Sequence, residues 1–200
     1  MSLPALFMDG EACTPVAVDV TFLRMDRPPE PPAPALPPEA AVRQATQCSV
    51  GFYRYLYGTV GHRHVWWLRR TLPDAELAGI LGDPDVAVHV LQQDGEPAGF
   101  YELDRRNWPL VNLAYFGLLP HAVGRGLGHA FLRQAIDDAW STGAWSTGAR
   151  ALTVNTCTAD HPRALPNYLA SGFHRLRTVR EVWQVPTRLG LPIPERLRLG

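Results

Sequence analysis

The chain has 200 residues, 46% of them hydrophobic, and its formal net charge at pH 7 is zero. A chain of this length can bury the core of one domain. The balanced charge and the lack of a basic run argue against a nucleic-acid or membrane-surface partner. All 19 basic residues are arginines, which excludes a Schiff-base lysine and the lysine of a P-loop.

The cysteines and the first residues of the chain bear on its compartment. Cys13, Cys48 and Cys157 are odd in number and widely spaced, which indicates neither a disulfide framework nor a zinc ribbon. No run approaches the roughly 18 uninterrupted apolar residues of a membrane span, and acidic residues come too early for a secretory signal. We therefore predict a cytoplasmic protein.

The N-terminal part combines one predicted strand with a proline-rich segment. In residues 16–25, β-forming residues alternate with smaller or polar ones, which predicts a strand. The next stretch, RPPEPPAPALPPEAA, reads as a surface connector, with a ligand for a partner domain as the alternative. Residues 1–40 are thus predicted to precede a main domain at 41–186, with a tail at 187–200.

Helical periodicity follows and then gives way to a period of two. The segments CSVGFYRYLYGTV, RHVWWLRRTL and PDAELAGILGDP predict helices. Alternation at 86–93 and 98–106 predicts a hairpin with its turn at Asp94 and Gly95. Residues 110–120 are apolar enough for a central strand.

The C-terminal half alternates helices with strands. An amphipathic helix is predicted from its apolar residues at helical spacing, which are Phe131, Leu132, Ala135, Ile136 and Ala139. The tandem repeat WSTGA at 140–149 is expected to be an exposed extension. The strand ALTVNTCT, a short helix within PRALPNYLASGF that Asp160 is expected to cap, and the strand HRLRTVREVWQV follow. This order predicts a mixed α/β sheet rather than a doubly wound one.

A glycine-dense hinge, GLLPHAVGRGLGHAFL, joins the central strand to this amphipathic helix. Its glycines at 124, 126 and 128 do not have the G-x-G-x-x-G spacing of a dinucleotide fold, and the P-loop needs a lysine that the chain lacks. Backbone amides of residues 123–128 at the positive end of a helix would suit a diphosphate. The hinge therefore predicts a site for a coenzyme pyrophosphate.

Two motifs resemble the GNAT superfamily of N-acetyltransferases. LLP followed by HAVGRGLGHAFL is similar to its acetyl-CoA motif, with Val123 at the usual Arg/Gln position. HPRALPNYLASGF resembles a second block of the family, in which the matching residues are Ala164, Tyr168, Gly172 and Phe173, whereas His161 and Asn167 replace its asparagine and leucine. The resemblance covers residues 45–185 and implies a mostly antiparallel twisted sheet, flanked by helices, whose parallel strands four and five splay apart.

The resemblance also implies acetyl-CoA as the co-substrate, with its pantetheine in the splay. The residues expected at the coenzyme are Phe116, Gly117, Leu118, Val123, Gly124, Arg125, Gly126, Leu127, Gly128, His129, Asn155 and His161. The amide of Leu118 is the candidate donor to the oxyanion, and Tyr168 stands where the family places a general acid.

The base is left open by the sequence. Asn112 stands where several family members have a carboxylate, and an amide cannot accept the proton. Glu102 is our candidate, because alternation in its strand points it toward the cleft; Asp104 and water are the alternatives.

The predicted activity is transfer of an acetyl group to a primary amine by direct attack. A non-catalytic acyl-CoA sensor is the alternative, since it would keep the hinge without needing an acid or a base. The histidines at 62, 64 and 161 do not suggest a metal site, because no third convergent ligand is identifiable. One or two rings of the aromatic segment at 52–67 are expected to line the pocket of a small-molecule amine, and a homodimer is left open.

Overall fold

The computed structural model describes residues 10–141 and 148–199, which form one seven-stranded sheet with helices on both faces. The strands are β1 Cys13–Met25, β2 Ala40–Gln44, β3 Val86–Gln93, β4 Glu96–Asp104, β5 Leu110–Leu118, β6 Ala151–Cys157 and β7 His174–Pro186. The helices are α1 Val50–Gly61, α2 Leu68–Thr71, α3 Asp74–Leu81, α4 Leu127–Ser141 and α5 Ala164–Ala170. Their order in the sheet is β2-β3-β4-β5-β6-β1-β7.

Neighbouring strands pair antiparallel except β5 and β6, which are parallel. The predicted fold class, a mixed sheet with one parallel pair, is therefore confirmed. The predicted hairpin turn is also present, because Asp94 and Gly95 both have positive φ, 52° and 86°, as a type I′ turn requires.

The two N-terminal strands lie at separate places in the sheet. β1 is inserted between β6 and β7, so the first predicted strand lies inside the sheet rather than beside it. β2 was not predicted; it pairs with β3 at the far edge. This short strand is mostly exposed and has no apolar alternation to mark it, so its pairing with β3 defines it.

The helices cover the two faces of the sheet. On one face, here called the α1 face, α1 and α3 pack over β3 and β4, with Tyr53, Leu56 and Tyr57 buried against Val90 and Phe100. On the opposite α4 face, α4 and α5 pack over β4, β5 and β6. All five residues that marked the helical period of α4 are fully buried there, which confirms that prediction.

A third apolar cluster holds the end of the sheet where β1 lies. Val16, Val18 and Val20 project to the α1 face and contact Val65, from the turn between α1 and α2, and Leu197 of the tail.

The repeat at 140–149 falls mostly outside the described residues. None of the described helices is long and apolar enough to cross a membrane.

Candidate active site

The parallel strands β5 and β6 separate after a short region of pairing. They are paired from Leu110 opposite Ala151 to Asn112 opposite Thr153. Just beyond, the register of β5 against β4 shifts, because Leu113 faces Leu103 whereas Tyr115 faces Glu102. Ala114 is the extra residue of this bulge, and a bulge bends its strand. The result is a V-shaped gap between β5 and β6, here called the splay.

A loop at the end of β5 leads from the splay into α4. A 3-10 turn at Pro120–Ala122 follows the strand, and α4 begins at Leu127. Gly124 and Gly126 both have positive φ, 84° and 81°, and a Cβ atom on either would meet nothing within 4 Å. The first N–H groups of a helix have no partners within it, so this loop presents backbone donors at the positive end of α4.

The residues predicted to contact coenzyme lie along this path. Phe116 to Leu118 are half-buried at the end of β5, and Val123 is 49% exposed. Leu127 is buried and anchors the helix, while Gly124, Arg125, Gly126 and His129 are exposed and Gly128 is half-buried. These residues form one continuous strip from the splay to the start of α4.

The two remaining predicted contacts lie on the β6 side of the splay. Asn155 is exposed on β6, beyond its pairing with β5. His161 is exposed after the strand, and its Nδ1 accepts a hydrogen bond from the Arg163 N–H at 3.1 Å. Both walls of the splay therefore carry residues that the sequence singled out.

Tyr168 is the predicted general acid and lies on α5, on the α4 face. Its ring is buried and meets the Phe173 ring edge-on, with centroids 5.8 Å apart. Burial, and to a smaller extent the charge of Asp160, raise the pKa of this phenol well above its ordinary value. Tyr168 thus keeps its proton at neutral pH.

Glu102, the predicted base, is fully buried on the α1 face. Its Oε2 accepts a hydrogen bond from the Tyr53 hydroxyl at 2.5 Å, and its Oε1 is 2.7 Å from Nη2 of Arg69. The Arg69 guanidinium also lies over the ring of Tyr115, 5.4 Å from its centroid. We call these four residues the Glu102 cluster.

Burial affects the charges of this cluster. Burial alone would lower the pKa of Arg69, but the negative charge of Glu102 raises it above its ordinary value. Burial and then the same charge raise the pKa of Tyr53. A charged Arg69 and a protonated Tyr53 occupy both carboxylate oxygens, so the structure leaves Glu102 no direct contact with a molecule in the splay.

The other polar residues considered for the base are also engaged. Asp104 is 14% exposed and binds Arg106 at 2.6 Å. Burial would raise the pKa of Asp104, but hydrogen bonds to Arg106 lower it, which weakens the carboxylate as a base. Asn112 Oδ1 accepts a hydrogen bond from the Thr153 hydroxyl at 3.2 Å and so joins the two strands where the splay begins.

Asp160 has a different role from the one predicted. The sequence placed it as the cap of α5, but that helix begins at Ala164 without a side-chain cap, so this prediction is wrong. Its Oδ2 instead accepts hydrogen bonds from the Thr156 hydroxyl at 2.8 Å and the Cys157 N–H at 2.9 Å. Its Oδ1 accepts from Nε1 of Trp66 at 3.2 Å.

The Trp66 to Asp160 bond connects the α1 side of the site to the end of β6. The Trp66 indole also packs against the rings of Tyr57 and Tyr115, each 5.3 Å away between centroids. Sequence reasoning missed this bridge because its two residues are 94 positions apart.

Among the described residues, no group of three or more His, Cys, Asp or Glu side chains is arranged to hold a metal.

The chain is similar in sequence to known acetyltransferases. The profile of the acetyltransferase (GNAT) family matches residues 41–173. The mycothiol acetyltransferase of Nocardia farcinica (strain IFM 10152) is 33% identical over 117 residues, which are 58% of this chain and 34% of that protein. The chain thus spans about a third of the length of this curated relative.

Solved structures share the fold at low identity. A GCN5-related N-acetyltransferase from Kribbella flavida superposes with a TM-score of 0.57 at 16% identity, over 86% of this chain and 60% of that one. A tandem GNAT protein from the clavulanic acid biosynthesis pathway gives 0.61 at 15% identity, over 88% and 55%. These likenesses concern the arrangement of strands and helices.

Proposed function

The chain belongs to the acetyltransferase (GNAT) family, and from this premise we propose that it transfers the acetyl group of acetyl-CoA to a primary amine by direct attack. The observation that carries the proposal is the continuous strip from the splay, through Phe116 to Leu118, to the open glycine loop at the start of α4. An extended thioester arm and a diphosphate need such a strip, with unpaired strand edge at one end and free amides at the other.

In this proposal the diphosphate lies on the amides of residues 123–128. Gly124 and Gly126 suit it because their positive φ turns successive N–H groups toward one concavity and because they leave room for the ligand. Val123 offers no cation there, so the backbone supplies the donors. Arg125 and His129 flank the ligand, Gly128 permits its close approach, and Leu127 holds the helix in place.

The pantetheine arm would run along Phe116 to Leu118, with Asn155 and His161 on the opposite wall. The N–H of Leu119 donates to the carbonyl of Ala98 on β4 at 2.8 Å. Successive N–H groups of an extended strand point to opposite sides, so the N–H of Leu118 points away from β4, toward the splay. This orientation supports Leu118 as the donor to the developing oxyanion.

Tyr168 is proposed as the general acid. Its protonated phenol stabilises the departing thiolate with a hydrogen bond and then transfers the proton to it. Glu102 is proposed to act through its partners: it fixes the charge of Arg69 and the position of Tyr53 beneath the acceptor side. The acceptor, the cytoplasmic location and the oligomeric state stay predictions.

The proposal is tested with purified protein, acetyl-CoA and a panel of primary amines that contains benzylamine, ethanolamine and spermidine. Thiol release measures turnover, and mass spectrometry identifies an N-acetylated product. Tyr168→Phe is expected to bind acetyl-CoA like the parent and to lose about 10²- to 10⁴-fold in turnover, as general acids contribute. Leu169→Ala, an exposed position on the same helix α5, is the control and should keep full turnover.

Two results would count against the proposal. Turnover of Tyr168→Phe within about twofold of the parent would remove the phenol from the chemistry. Coenzyme binding without an acetylated product from any amine would favour the sensor.

A further inference from the structure

The turn between α1 and α2, residues 62–67, contains a strained residue and lies outside the set of residues proposed above for acetyl transfer. Val65 has φ 56° and ψ 36°, the left-handed region that β-branched residues rarely adopt. Its side chain is 1% exposed and packs in the cluster of β1 valines and Leu197. The core therefore holds this conformation in place, and such residues concentrate at functional sites.

The left-handed residue directs its two neighbours toward the end of β6. Trp66 donates its indole N–H to Asp160 at 3.2 Å. The His64 ring is half-buried and meets the ring of His161 at a steep angle, with centroids 6.3 Å apart. The turn thus crosses the mouth of the splay from the α1 face.

Trp66 also places the turn near the predicted thioester position. A Cβ atom built on Gly117 would clash with Cγ1 of Val60 and lie 3.7 Å from the ring of Trp66. Gly117 belongs to the part of β5 that the coenzyme arm is proposed to follow. His64, two residues before Trp66, lies against His161, which stands on the β6 wall of the splay beside the path proposed for the coenzyme arm.

The surroundings of His64 favour a neutral imidazole. Burial lowers its pKa, and the charges of His161 and Arg63 lower it further. Asp160 and a hydrogen bond to the backbone of Ala159 act in the opposite direction without reversing the shift. The ordinary pKa of histidine is about 6.5, so His64 is deprotonated at pH 7.

We infer that His64 is the general base, and that it accepts a proton from the ammonium group of the acceptor. This inference rests on the proposed acetyl transfer. The geometry that carries it is the strained turn, the Trp66 to Asp160 bridge that fixes the turn across the splay, and the half-buried His64 ring beside His161. The two carboxylates that the sequence offered as candidate bases, Glu102 and Asp104, are each bound by an arginine.

Acetyl transfer with His64 as the base releases one proton overall. The ammonium gives one proton to the His64 nitrogen that does not face Ala159. The amine lone pair then forms the C–N bond to the acetyl carbon, and the C–S bond breaks with its electron pair leaving on sulfur. Tyr168 gives its phenolic proton to this thiolate and recovers one from the new amide nitrogen, so the single released proton remains on His64 and passes to solvent.

The test compares His64→Gln with His62→Gln, an exposed histidine of the same turn, using two kinds of acceptor. The first is the best amine of the benzylamine, ethanolamine and spermidine panel, which is protonated at neutral pH. The second is hydroxylamine, which is unprotonated at neutral pH and needs no base. His64→Gln should lower kcat/KM for the protonated amine about 10²- to 10⁴-fold. With hydroxylamine, kcat/KM of this variant should stay within about threefold of the parent value, and its acetyl-CoA affinity should be unchanged.

The pH profile gives an independent readout. In the parent, kcat/KM for the protonated amine should fall only below about pH 6.5, because a lowered pKa keeps the base deprotonated down to that range. In His64→Gln, kcat/KM should already fall below the alkaline pKa of the amine, because only amine that is unprotonated in solution can then react. An unchanged His64→Gln, or an equal loss with hydroxylamine, overturns the inference while leaving acetyl transfer intact. A parent inactive with every acceptor overturns both.

Discussion

The loop from Pro120 to Gly128 and the Glu102 cluster both contain residues predicted for the site, yet they are built from different atoms. The loop is exposed except for the buried Ala122 and Leu127 and the half-buried Gly128, and its donors are backbone N–H groups at the start of α4. In the cluster Glu102 and Tyr53 are buried while Arg69 and Tyr115 are half-buried, and its contacts join side chains of α1, α2, β4 and β5. One region is local in sequence, and the other gathers residues from four elements.

This difference affects how each region responds to substitution. Backbone donors do not depend on side-chain identity, so in the proposed diphosphate site Val123 can stand where the family usually has Arg or Gln. A buried carboxylate depends on each partner, because an unpaired charge in the interior is costly. We therefore expect the loop to lose coenzyme binding only when a side chain blocks it. We expect the cluster to lose stability when any of its charged members is neutralised.

The largest effect is expected in the cluster. Glu102→Gln removes the charge opposite Arg69 while keeping the size of the side chain, so the free energy of unfolding should fall by about 3 to 5 kcal/mol. Urea unfolding measures it. Glu96→Gln, an exposed change on the same strand, should stay within about 0.5 kcal/mol. A loss below about 1 kcal/mol for Glu102→Gln would show that the cluster contributes little to stability.

The second effect tests the loop by blocking it. Gly126→Asp puts a carboxylate and a side chain into the proposed diphosphate position, and should weaken acetyl-CoA binding at least about 100-fold, or about 2.7 kcal/mol, by calorimetry. Gly190→Asp introduces the same residue at another positive φ, 58°, with open space around it, and should leave binding unchanged. If both folded variants bind acetyl-CoA equally well, the diphosphate does not lie at Gly126.

The smallest effect tests whether the loop needs a side-chain cation. Val123→Arg adds a charge at a 49% exposed position, where ion pairs contribute about 0.2 to 1 kcal/mol. Acetyl-CoA affinity should rise less than about sixfold, and the gain should shrink at high ionic strength. Val123→Gln is the uncharged control. A gain of 30-fold or more would mean that the backbone supplies only part of the binding.

Local features of the site could be predicted from the sequence. The glycine spacing at 124–128, the apolar period of α4 and the Asp94-Gly95 turn each depend on neighbouring residues, and all three are found where they were predicted. The two family motifs are similarly local. Such patterns constrain backbone conformation directly, so a single chain segment carries the whole signal.

Only the tertiary structure decided which side chains meet. Alternation indicated that Glu102 faces one side of its strand, but its partner Arg69 is 33 positions away and arrives with α2. β1 is inserted between β6 and β7, and Asp160 binds Trp66 rather than capping α5. Period-two patterning gives a strand two faces without saying what covers either one, because the cover comes from long-range strand order and helix packing.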